Sequence, residues 1–322
     1  MTHRGGLGLI GGSSTPSLPG LNMTQQEMVA VCRIMDVEPC GVGDPLCWRS
    51  ARVHGSGVLI HPRVVLTAGH VAITGFSHGA PYVDRWGRGV LFGTGQYATR
   101  IFADESEGIT ISHIVEGSIL DTGLSASDSG EEILSHEYND LALLLLRDPA
   151  PSWCSPIRLG SCPAIGSQVE VSGYGGVRVP GEVPVSSSTS WATVQVTLVP
   201  DTGTSFVTRD LVGGVGRQTP GDSGGPAIVA ASDRSPRVVG VVSGGSTVLV
   251  PGRTLTVYTR LDGSRLSWIT SKLSEWGLSY SDFSVDSGYA GKTSRAKSSA
   301  AGPVVLATGV LGFLGWLASR GG

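Results

Sequence analysis

The amino-acid sequence predicts a mostly β fold, built either as antiparallel barrels or as a sandwich. Its 322 residues include 48 glycines and 18 prolines, and only 15% are charged, which favours many short strands joined by turns over long helices. Apolar residues make up 40% of the chain, enough to bury one large core or two small ones. Short β-type segments recur at even spacing with polar turns between them, as in barrels and sandwiches.

The predicted elements are short strands, with one helix near the end. Residues 1–27, rich in Gly, Ser and Pro, are predicted to be a leader or activation segment. Residues 28–35 predict the first strand, although the letters TQQEM before them also suit a helix cap. Alternating segments at 51–60 and 63–71 predict two strands separated by a His-Pro turn. The helix signal is RLSWITSKLSEWG, which ends at Gly277. The remaining strand signals are GVLFGTG, GITISHIV, DLALLLL, SQVEVSGYG, SWATVQVTLV, PAIVAA, RVVGVVSGG and TLTVYTRL.

The C-terminal part of the chain differs in composition from the rest. Residues 279–302, rich in Ser, Gly and Ala, predict a flexible linker. Residues 303–319 belong to an uncharged apolar run near the minimum length for crossing a bilayer, which predicts a transmembrane tail. Glycines and Pro303 weaken this prediction, so a packed terminal helix or a sorting tail is the alternative. No secretory signal is visible at the N-terminus.

Charge and cysteine content argue against two classes of protein. The net charge of −3 offers no basic face, and no cluster of Lys and Arg is interleaved with aromatics, so nucleic-acid binding is not expected. The five cysteines contain no CxxC pair, which argues against a zinc motif and leaves room for one or two disulfides. We expect no metal and no cofactor.

A serine in an unusually bare setting points to acyl-transfer chemistry. The letters TPGDSGGPAIV place Ser223 among glycines, which let the backbone turn sharply and direct N–H groups inward. A serine hydroxyl is a weak nucleophile that needs an adjacent base, and donors must receive the oxygen that becomes negative. Gly221 and Ser223 would supply two such N–H donors. His70, after one β-type segment, and Asp140, before another, offer a base and an orienting carboxylate.

These three stretches carry a resemblance to a known family. TAGHV, NDLALLLL and GDSGGP, in this order, resemble the histidine, aspartate and serine blocks of the trypsin and chymotrypsin family of serine endopeptidases, in a bacterial-type member. The resemblance covers residues 28–278 and implies two antiparallel six-stranded Greek-key barrels with a C-terminal helix. It also implies a triad in which Ser223 attacks the scissile carbonyl, His70 is general base and then acid, and Asp140 holds the His tautomer.

The resemblance further implies how substrate would bind. Ser243, Gly244 and Gly245, in the letters VVSGGS, match the segment that pairs with the substrate backbone as an added strand. Arg217, six residues before the serine, would lie at the base of the primary pocket, with Thr256 in the opposite wall. An inward Arg217 favours an acidic P1 residue, whereas an outward one leaves a small neutral pocket.

Other family features are only partly matched. Val71 and Thr219 stand where many members carry cysteines, so those two disulfides are absent. The tethers left open join Cys40 or Cys47 to Cys154 or Cys162, or Cys154 to Cys162.

Activation by a new N-terminus is a second open point. In the family that terminus pairs with the aspartate before the serine, here Asp222, and Ile10 in LIGGSSTP resembles the terminus. Another cation or a hydrogen-bond network is the alternative partner of Asp222. The loop ILDTGLSASDSGEEILSHE is either a solvated surface loop or a gate and electrostatic filter beside the cleft.

The sequence therefore predicts a serine endopeptidase acting on protein or peptide substrates and tethered to a membrane by its tail. The alternative is a non-catalytic protein of the same fold that uses the cleft for binding. The side of the membrane stays open. Three cations precede the tail and Arg320 alone follows it, which favours a cytoplasmic protease, whereas most family members work outside the cytoplasm.

Overall fold

The structure is a computed structural model of the whole chain. It describes residues 12–39, 48–73, 75–77, 80–83, 88–93, 111–120, 139–175, 189–199, 205–209, 219, 221–250 and 253–279. Within these ranges the first half of the chain forms α1 (Gln25–Met28), β1 (Val31–Pro39), β2 (Trp48–His61), β3 (Val64–Thr67), α2 (Gly69–Ala72), β4 (Gly75–Ser77), β5 (Ala80–Tyr82), β6 (Arg88–Leu91), β7 (Ile111–Ile119) and β8 (Ala142–Leu146). The second half forms β9 (Arg158–Leu159), β10 (Gln168–Gly173), β11 (Ser190–Leu198), β12 (Ser205–Arg209), β13 (Pro226–Ala230), β14 (Pro236–Val250), β15 (Arg253–Arg260) and α3 (Gly263–Glu275).

The first six-stranded sheet closes into a barrel. Its strands follow the order β1, β2, β3, β8, β7, β6, and β6 pairs back onto β1. All of the pairs are antiparallel. Every residue of β8 is buried, because one face of the strand lines the barrel and the rest of the protein covers the other.

The second barrel closes through β13, which pairs with β10 along one edge and with β14 along the other. Its order is β13, β10, β11, β12, β15, β14, and β13 also pairs with β14, so the six strands form a ring. The short β9 lies parallel to β14 outside this ring. The rings of Phe206 and Tyr258 stack in the core at a centroid distance of 4.9 Å. The all-β, two-barrel prediction is therefore confirmed, and the sandwich is excluded.

The C-terminal helix packs against the hydrophobic core that the first barrel shares with the barrel interface. Leu266, Ile269 and Leu273 recur at helical spacing and are buried in the same cluster as the leucines of β8. Tyr174, just after β10, joins the two barrels because its hydroxyl lies within hydrogen-bond distance of the carbonyls of Val31 and Gly93, at 3.2 Å and 3.0 Å, and shares its one proton between them. The helix prediction at the end of the family-like region is confirmed by α3, which begins two residues earlier than the RLSWITSKLSEWG segment.

The residues before β1 pack on the protein from Gly12 onward, and we call residues 12–23 the N-terminal strap. Ser13 makes a two-way main-chain bridge with Trp191 of β11. The buried Glu170 of β10 accepts hydrogen bonds from the main-chain N–H groups of Ser17 and Leu18. After the strap, Thr24 and Glu27 form a capping box that starts α1, so a short helix precedes the first strand.

Cysteine pairing differs from the sequence prediction. Cys32, Cys154 and Cys162 all carry free thiols, so none of the tethers predicted for Cys154 or Cys162 is present. Cys32 and Cys154 are buried, and desolvation raises the pKa of the Cys154 thiol to about 12. These cysteines pack as small apolar groups.

Several predictions concern residues that the structure does not describe. These are the positions of Ile10, Arg217, Cys40 and Cys47, the acidic loop before Asn139, the linker and the apolar tail. In the part of the chain that is described, no helix is both long and apolar enough to cross a bilayer.

Candidate active site

His70 and Asp140 meet because they leave the same end of two paired strands. Thr67 at the end of β3 pairs with Ala142 at the start of β8, so the residues just beyond both strands lie side by side. There the Asp140 carboxylate accepts two hydrogen bonds from His70. The main-chain N–H donates to Oδ1 at 2.8 Å, and ring Nδ1 lies 2.7 Å from Oδ2. This contact leaves ring Nε2 as the nitrogen that can exchange a proton with a third group.

The sequence places His70 at a strand end, whereas the chain turns into α2 there. Ala68 has an extended backbone, and Gly69–Ala72 then form a single helical turn. Val71 and Ala72 are buried by this turn. A continued strand would carry the His70 side chain away along β3, so the turn is what brings the ring back over Asp140.

The second barrel completes the surroundings of Asp140. Ser243 of β14 donates its hydroxyl to Asp140 Oδ2 at 2.6 Å, and Thr259 of β15 donates to the Asp140 main-chain carbonyl at 3.1 Å. Only 1% of Asp140 is exposed. A buried carboxylate needs such partners, and each charge-assisted bond favours its ionised form.

The pKa values of the pair are set by burial and by mutual attraction. Burial alone would lower the pKa of His70, but the Asp140 carboxylate outweighs it and the pKa of His70 is raised. Burial would likewise raise the pKa of Asp140, but His70 and Ser243 hold that pKa below its ordinary value. At neutral pH Asp140 is therefore ionised, and the His70 ring is oriented by a fixed negative charge.

The segment that carries Ser223, residues 221–225, is called the serine loop, and it turns through two glycines with positive φ. Gly221 has φ of 99° and Gly224 has φ of 84°, a region that disfavours residues with a Cβ. Space is also lacking at Gly224, where a Cβ would lie 2.1 Å from the carbonyl oxygen of Ser56. The serine is set among glycines because the turn and the close packing both require them.

Two N–H groups of this loop stay unbonded on either side of Asp222. The N–H groups of Gly221 and Ser223 have no acceptor among the residues that the structure describes. The other N–H groups from 222 to 225 all donate: Asp222 to Thr219 O, Gly224 to Val242 O and Gly225 to Asp222 O. Two nearby N–H donors without an acceptor of their own are what an oxyanion site needs.

The serine loop lies directly against the segment that carries His70. A Cβ on Gly55 would come within 2.9 Å of both Val71 and the Ser223 carbonyl, so the three residues converge on one point. The Gly224 backbone likewise faces Thr67 and Ala68. No hydrogen bond joins the Ser223 hydroxyl to the His70 ring in the described part of the chain. Catalytic hydrogen bonds are often loose without substrate, so this geometry is compatible with a nucleophile and its base.

Asp222 is fully buried, and its carboxylate binds donors from its own loop and from β10's end. Gly175 N–H donates to Oδ1 at 2.8 Å, while the N–H and hydroxyl of Thr219 donate to Oδ2 at 2.8 Å and 3.0 Å. Burial nevertheless raises the pKa of Asp222 to about 6, with these donors acting in the opposite direction. A hydrogen-bond network of this kind is the alternative to a pairing with Ile10, whose position lies outside the described residues.

The predicted substrate-binding residues are only partly described. Gly244 and Gly245 pair with Val257 and Thr256 of β15, while the pairing of β13 with β14 ends at Val241. One edge of β14 is thus without a described partner from Ser243 onward, where an added strand could pair. Thr256 is buried between Gly245 and Thr208.

Sequence reasoning missed two hydroxyl groups that support the site. Ser243 was predicted as a substrate-pairing residue, but its side chain is bonded to Asp140. Ser56, in the letters HGSGVLI, donates its hydroxyl to the carbonyl of Gly221 at 2.7 Å. The only sequence signal for Ser56 is its position between two glycines in an apolar strand.

Comparison with known proteins agrees with the two-barrel fold. The family model described as Trypsin matches residues 46–269. A search of curated proteins found no match. Among solved structures the fold is similar to that of neuropsin, described as a serine protease expressed in the limbic system of mouse brain. The alignment has a TM-score of 0.52 and 19% identity, and it covers 78% of this chain and 97% of neuropsin.

Proposed function

Because the chain belongs to the trypsin family, we propose that it is a serine endopeptidase that hydrolyses peptide bonds through an acyl-enzyme on Ser223. The observation that carries this proposal is the pair of N–H groups at Gly221 and Ser223 that have no acceptor among the described residues, close to an oriented His70–Asp140 pair. A protein that uses the cleft only for binding does not need two such N–H donors beside a serine. The binding alternative is therefore less favoured.

The proposed reaction begins with proton transfer from Ser223. His70 Nε2 takes the hydroxyl proton as Ser223 Oγ bonds to the scissile carbonyl carbon, and the carbonyl oxygen becomes an anion held by the two N–H groups. His70 then gives the proton to the leaving amine, and the carbon–nitrogen bond breaks. Water then attacks the acyl-enzyme in the same way. His70 takes a proton from the water as its oxygen bonds to the acyl carbon, and His70 returns a proton to Ser223 Oγ as the ester bond breaks and the acid product leaves.

Asp140 acts on this reaction through His70. Its two bonds with His70 fix the ring tautomer and stabilise the imidazolium that forms in each step. Ser243 and Thr259, both on the second barrel, hold Asp140 in turn. The reacting groups thus depend on the docking of one barrel against the other.

The substrates we propose are proteins or peptides that pair along β14 from Ser243 to Gly245. Arg217 at the base of the primary pocket would disfavour Lys and Arg at P1.

We also propose that the apolar tail attaches the protein to a membrane. It rests on the composition of residues 303–319. Carbonate extraction tests it, because a tethered full-length chain stays with the membranes while a chain ending at Gly277 is released.

A fluorophosphonate probe tests the enzymatic proposal against the binding alternative. The expected result is covalent labelling of the wild type, loss of labelling in Ser223→Ala, and unchanged labelling in Ser232→Ala, a variant of an exposed serine on the turn after β13. A wild-type protein that folds but takes up no label would show that the serine is not activated.

A further inference from the structure

Ser56 has every polar group engaged at the back of the serine loop. It lies on β2, opposite Arg33 of β1, and is fully buried. Its N–H donates to the Ser223 carbonyl at 2.7 Å, and its own carbonyl accepts from the Thr67 hydroxyl at 2.7 Å. Its hydroxyl donates to the Gly221 carbonyl at 2.7 Å and accepts from Tyr174 N–H at 2.9 Å.

The contacts of Ser56 fix the loop on both sides of Asp222. One bond holds the carbonyl of Gly221 and another holds the carbonyl of Ser223, the two residues whose N–H groups have no acceptor in the described part of the chain. Gly221 has φ of 99° and no Cβ, so its own side chain does nothing to restrict rotation of the peptide units on either side. The peptide unit after Gly221 is held instead by two bonds, one from the Ser56 hydroxyl to its carbonyl and one from its N–H group, that of Asp222, to the Thr219 carbonyl.

The hydroxyl and the main chain of Ser56 make separable contributions. The bond to Ser223 uses the Ser56 main chain and would survive replacement of the side chain. The bond to Gly221 uses the hydroxyl alone. Removing that hydroxyl also leaves Tyr174 N–H without the acceptor it has in the structure. The Gly221 carbonyl then loses its donor in a part-buried setting, which favours rotation of the peptide unit that it shares with Asp222 N–H.

We propose that the Ser56 hydroxyl is a positioning group for the oxyanion site: by holding the Gly221 carbonyl it fixes the peptide unit on one side of the Gly221 Cα and so limits how the unit on the other side, which carries the Gly221 N–H, can turn. This inference rests on the proposed peptidase function. The Ser56 hydroxyl contacts Gly221 and Tyr174 and neither the Ser223 hydroxyl nor the His70 ring, so it acts through Gly221. Its contribution belongs to the transition state rather than to binding of the substrate ground state.

The test compares Ser56→Ala with Ser205→Ala. Ser205 is a buried strand serine whose hydroxyl has no partner among the described residues, so both variants make the same chemical change. After active-site titration with a fluorophosphonate, kcat and KM are measured with the best substrate from a peptide library. We expect Ser56→Ala to lower kcat about ten- to hundredfold with KM within about twofold, and Ser205→Ala to stay within about twofold of wild type.

A transition-state probe separates positioning from a general loss of structure. A peptidyl trifluoromethyl ketone with the P1 residue of that substrate forms a hemiketal on Ser223 whose oxygen occupies the oxyanion site. In Ser56→Ala its inhibition constant should rise by the same factor as kcat falls, and the hemiketal pKa, followed by NMR, should rise. Ser56→Cys, which keeps a weak donor of similar size, should recover part of kcat and serves if Ser56→Ala fails to fold.

The outcomes distinguish this inference from the proposed function. Wild-type kcat and ketone affinity in Ser56→Ala would overturn the positioning role and leave the peptidase proposal intact. A fall in activity that active-site titration explains entirely by fewer competent molecules would overturn it as well. A wild-type chain that the fluorophosphonate does not label would overturn the peptidase function itself, and the inference with it.

Discussion

Ser243 of the second barrel donates its hydroxyl to the carboxylate of Asp140, which precedes β8 of the first barrel, at 2.6 Å. The acceptor, Oδ2, is the same oxygen that faces the His70 ring. The orientation of His70 is therefore set by residues from both barrels.

Replacing Ser243 with alanine should weaken both the site and the fold. Loss of a hydrogen bond to a buried charge costs about 1.5–3 kcal/mol, so urea unfolding should show a stability loss of that size. We expect kcat/KM to fall by roughly tenfold, because His70 is held less firmly. The matched control is Ser172→Ala, since that buried hydroxyl has no partner among the described residues. Equal effects in the two variants would contradict the role given to Ser243.

The pH profile should report the pairing of His70 with Asp140. Activity needs the neutral ring, so kcat/KM rises with pH through the pKa of His70. Because Asp140 raises that pKa from 6.5, the acid limb should lie above this value. Asp140→Asn removes the charge, so the limb should move to lower pH while kcat falls about 10⁴-fold. An unchanged limb in the variant would show that another group controls the profile.

Activity should not require a free amino terminus at Ile10. The Asp222 carboxylate already accepts three hydrogen bonds, from Gly175 and Thr219. We therefore expect a chain that begins at Ile10 and the full chain to have kcat/KM values within about twofold of each other. A gain of tenfold or more on exposing Ile10, abolished by acetylation of the new amino group, would instead establish the ion pair.

Asp222 should also make stability depend on pH. Its folded pKa of about 6 is above the ordinary 3.8, so the folded state binds this proton more tightly than the unfolded chain does. This contribution is complete below pH 3.8 and is lost as the pH rises through about 6. Comparison of urea unfolding for wild type and Asp222→Asn between pH 4 and 8 would reveal it, because the variant lacks this titration.

Glu170→Gln should loosen the N-terminal strap without touching the reacting groups. The carboxylate accepts hydrogen bonds from Ser17 N–H, Leu18 N–H and the Thr193 hydroxyl. A glutamine amide has only one accepting oxygen, and its NH₂ group would face donors that it cannot bind. We expect stability to fall by about 1–3 kcal/mol and proteolytic cleavage within residues 12–23 to become faster. The exposed Glu275→Gln is the control. Unchanged protection of the strap in Glu170→Gln would show that its other contacts suffice.

Arg217 should bias the P1 preference against basic residues. We expect a peptide library to show little cleavage after Lys or Arg, and Arg217→Asp to increase that cleavage. The gain need not be large, because the other pocket walls also contribute. Strong cleavage after Lys or Arg by the wild type would contradict a role for Arg217 in the pocket.

Much of the fold could be predicted because barrel strands carry local signals. The apolar run of β8 and the alternation in β10 and β15 were found from pattern alone, and the structure confirms them. Strand β12 (Ser205–Arg209) was missed, since five residues show too little alternation and the strand depends on pairing with β11 and β15. The turn at α2 was also missed, because its residues have β-type letters and are bent by tertiary contacts.

Support for the candidate site was harder to predict than its principal residues. Short motifs singled out His70, Asp140 and Ser223, whose catalytic roles stay predictions. Ser56 and Gly221 are 165 positions apart, and Ser243 and Asp140 are 103 apart. Nothing local marks such serines, since their partners are defined only when the two barrels dock. The predicted cysteine tethers were wrong for a related reason. The sequence alone does not distinguish a cysteine that is buried as a free thiol from one that forms a disulfide.

The way in which Glu170 and Trp191 hold the N-terminal strap has a consequence for sequence variation. Both residues bind main-chain atoms. Glu170 accepts from the N–H groups of Ser17 and Leu18, and the Trp191 main chain bonds to the N–H and the carbonyl of Ser13. Such bonds recognise the path of the chain and not the identity of its side chains. Exposed positions such as Ser14 and Thr15 are thus open to drift between relatives and to the grafting of short recognition sequences, while Glu170 itself is not.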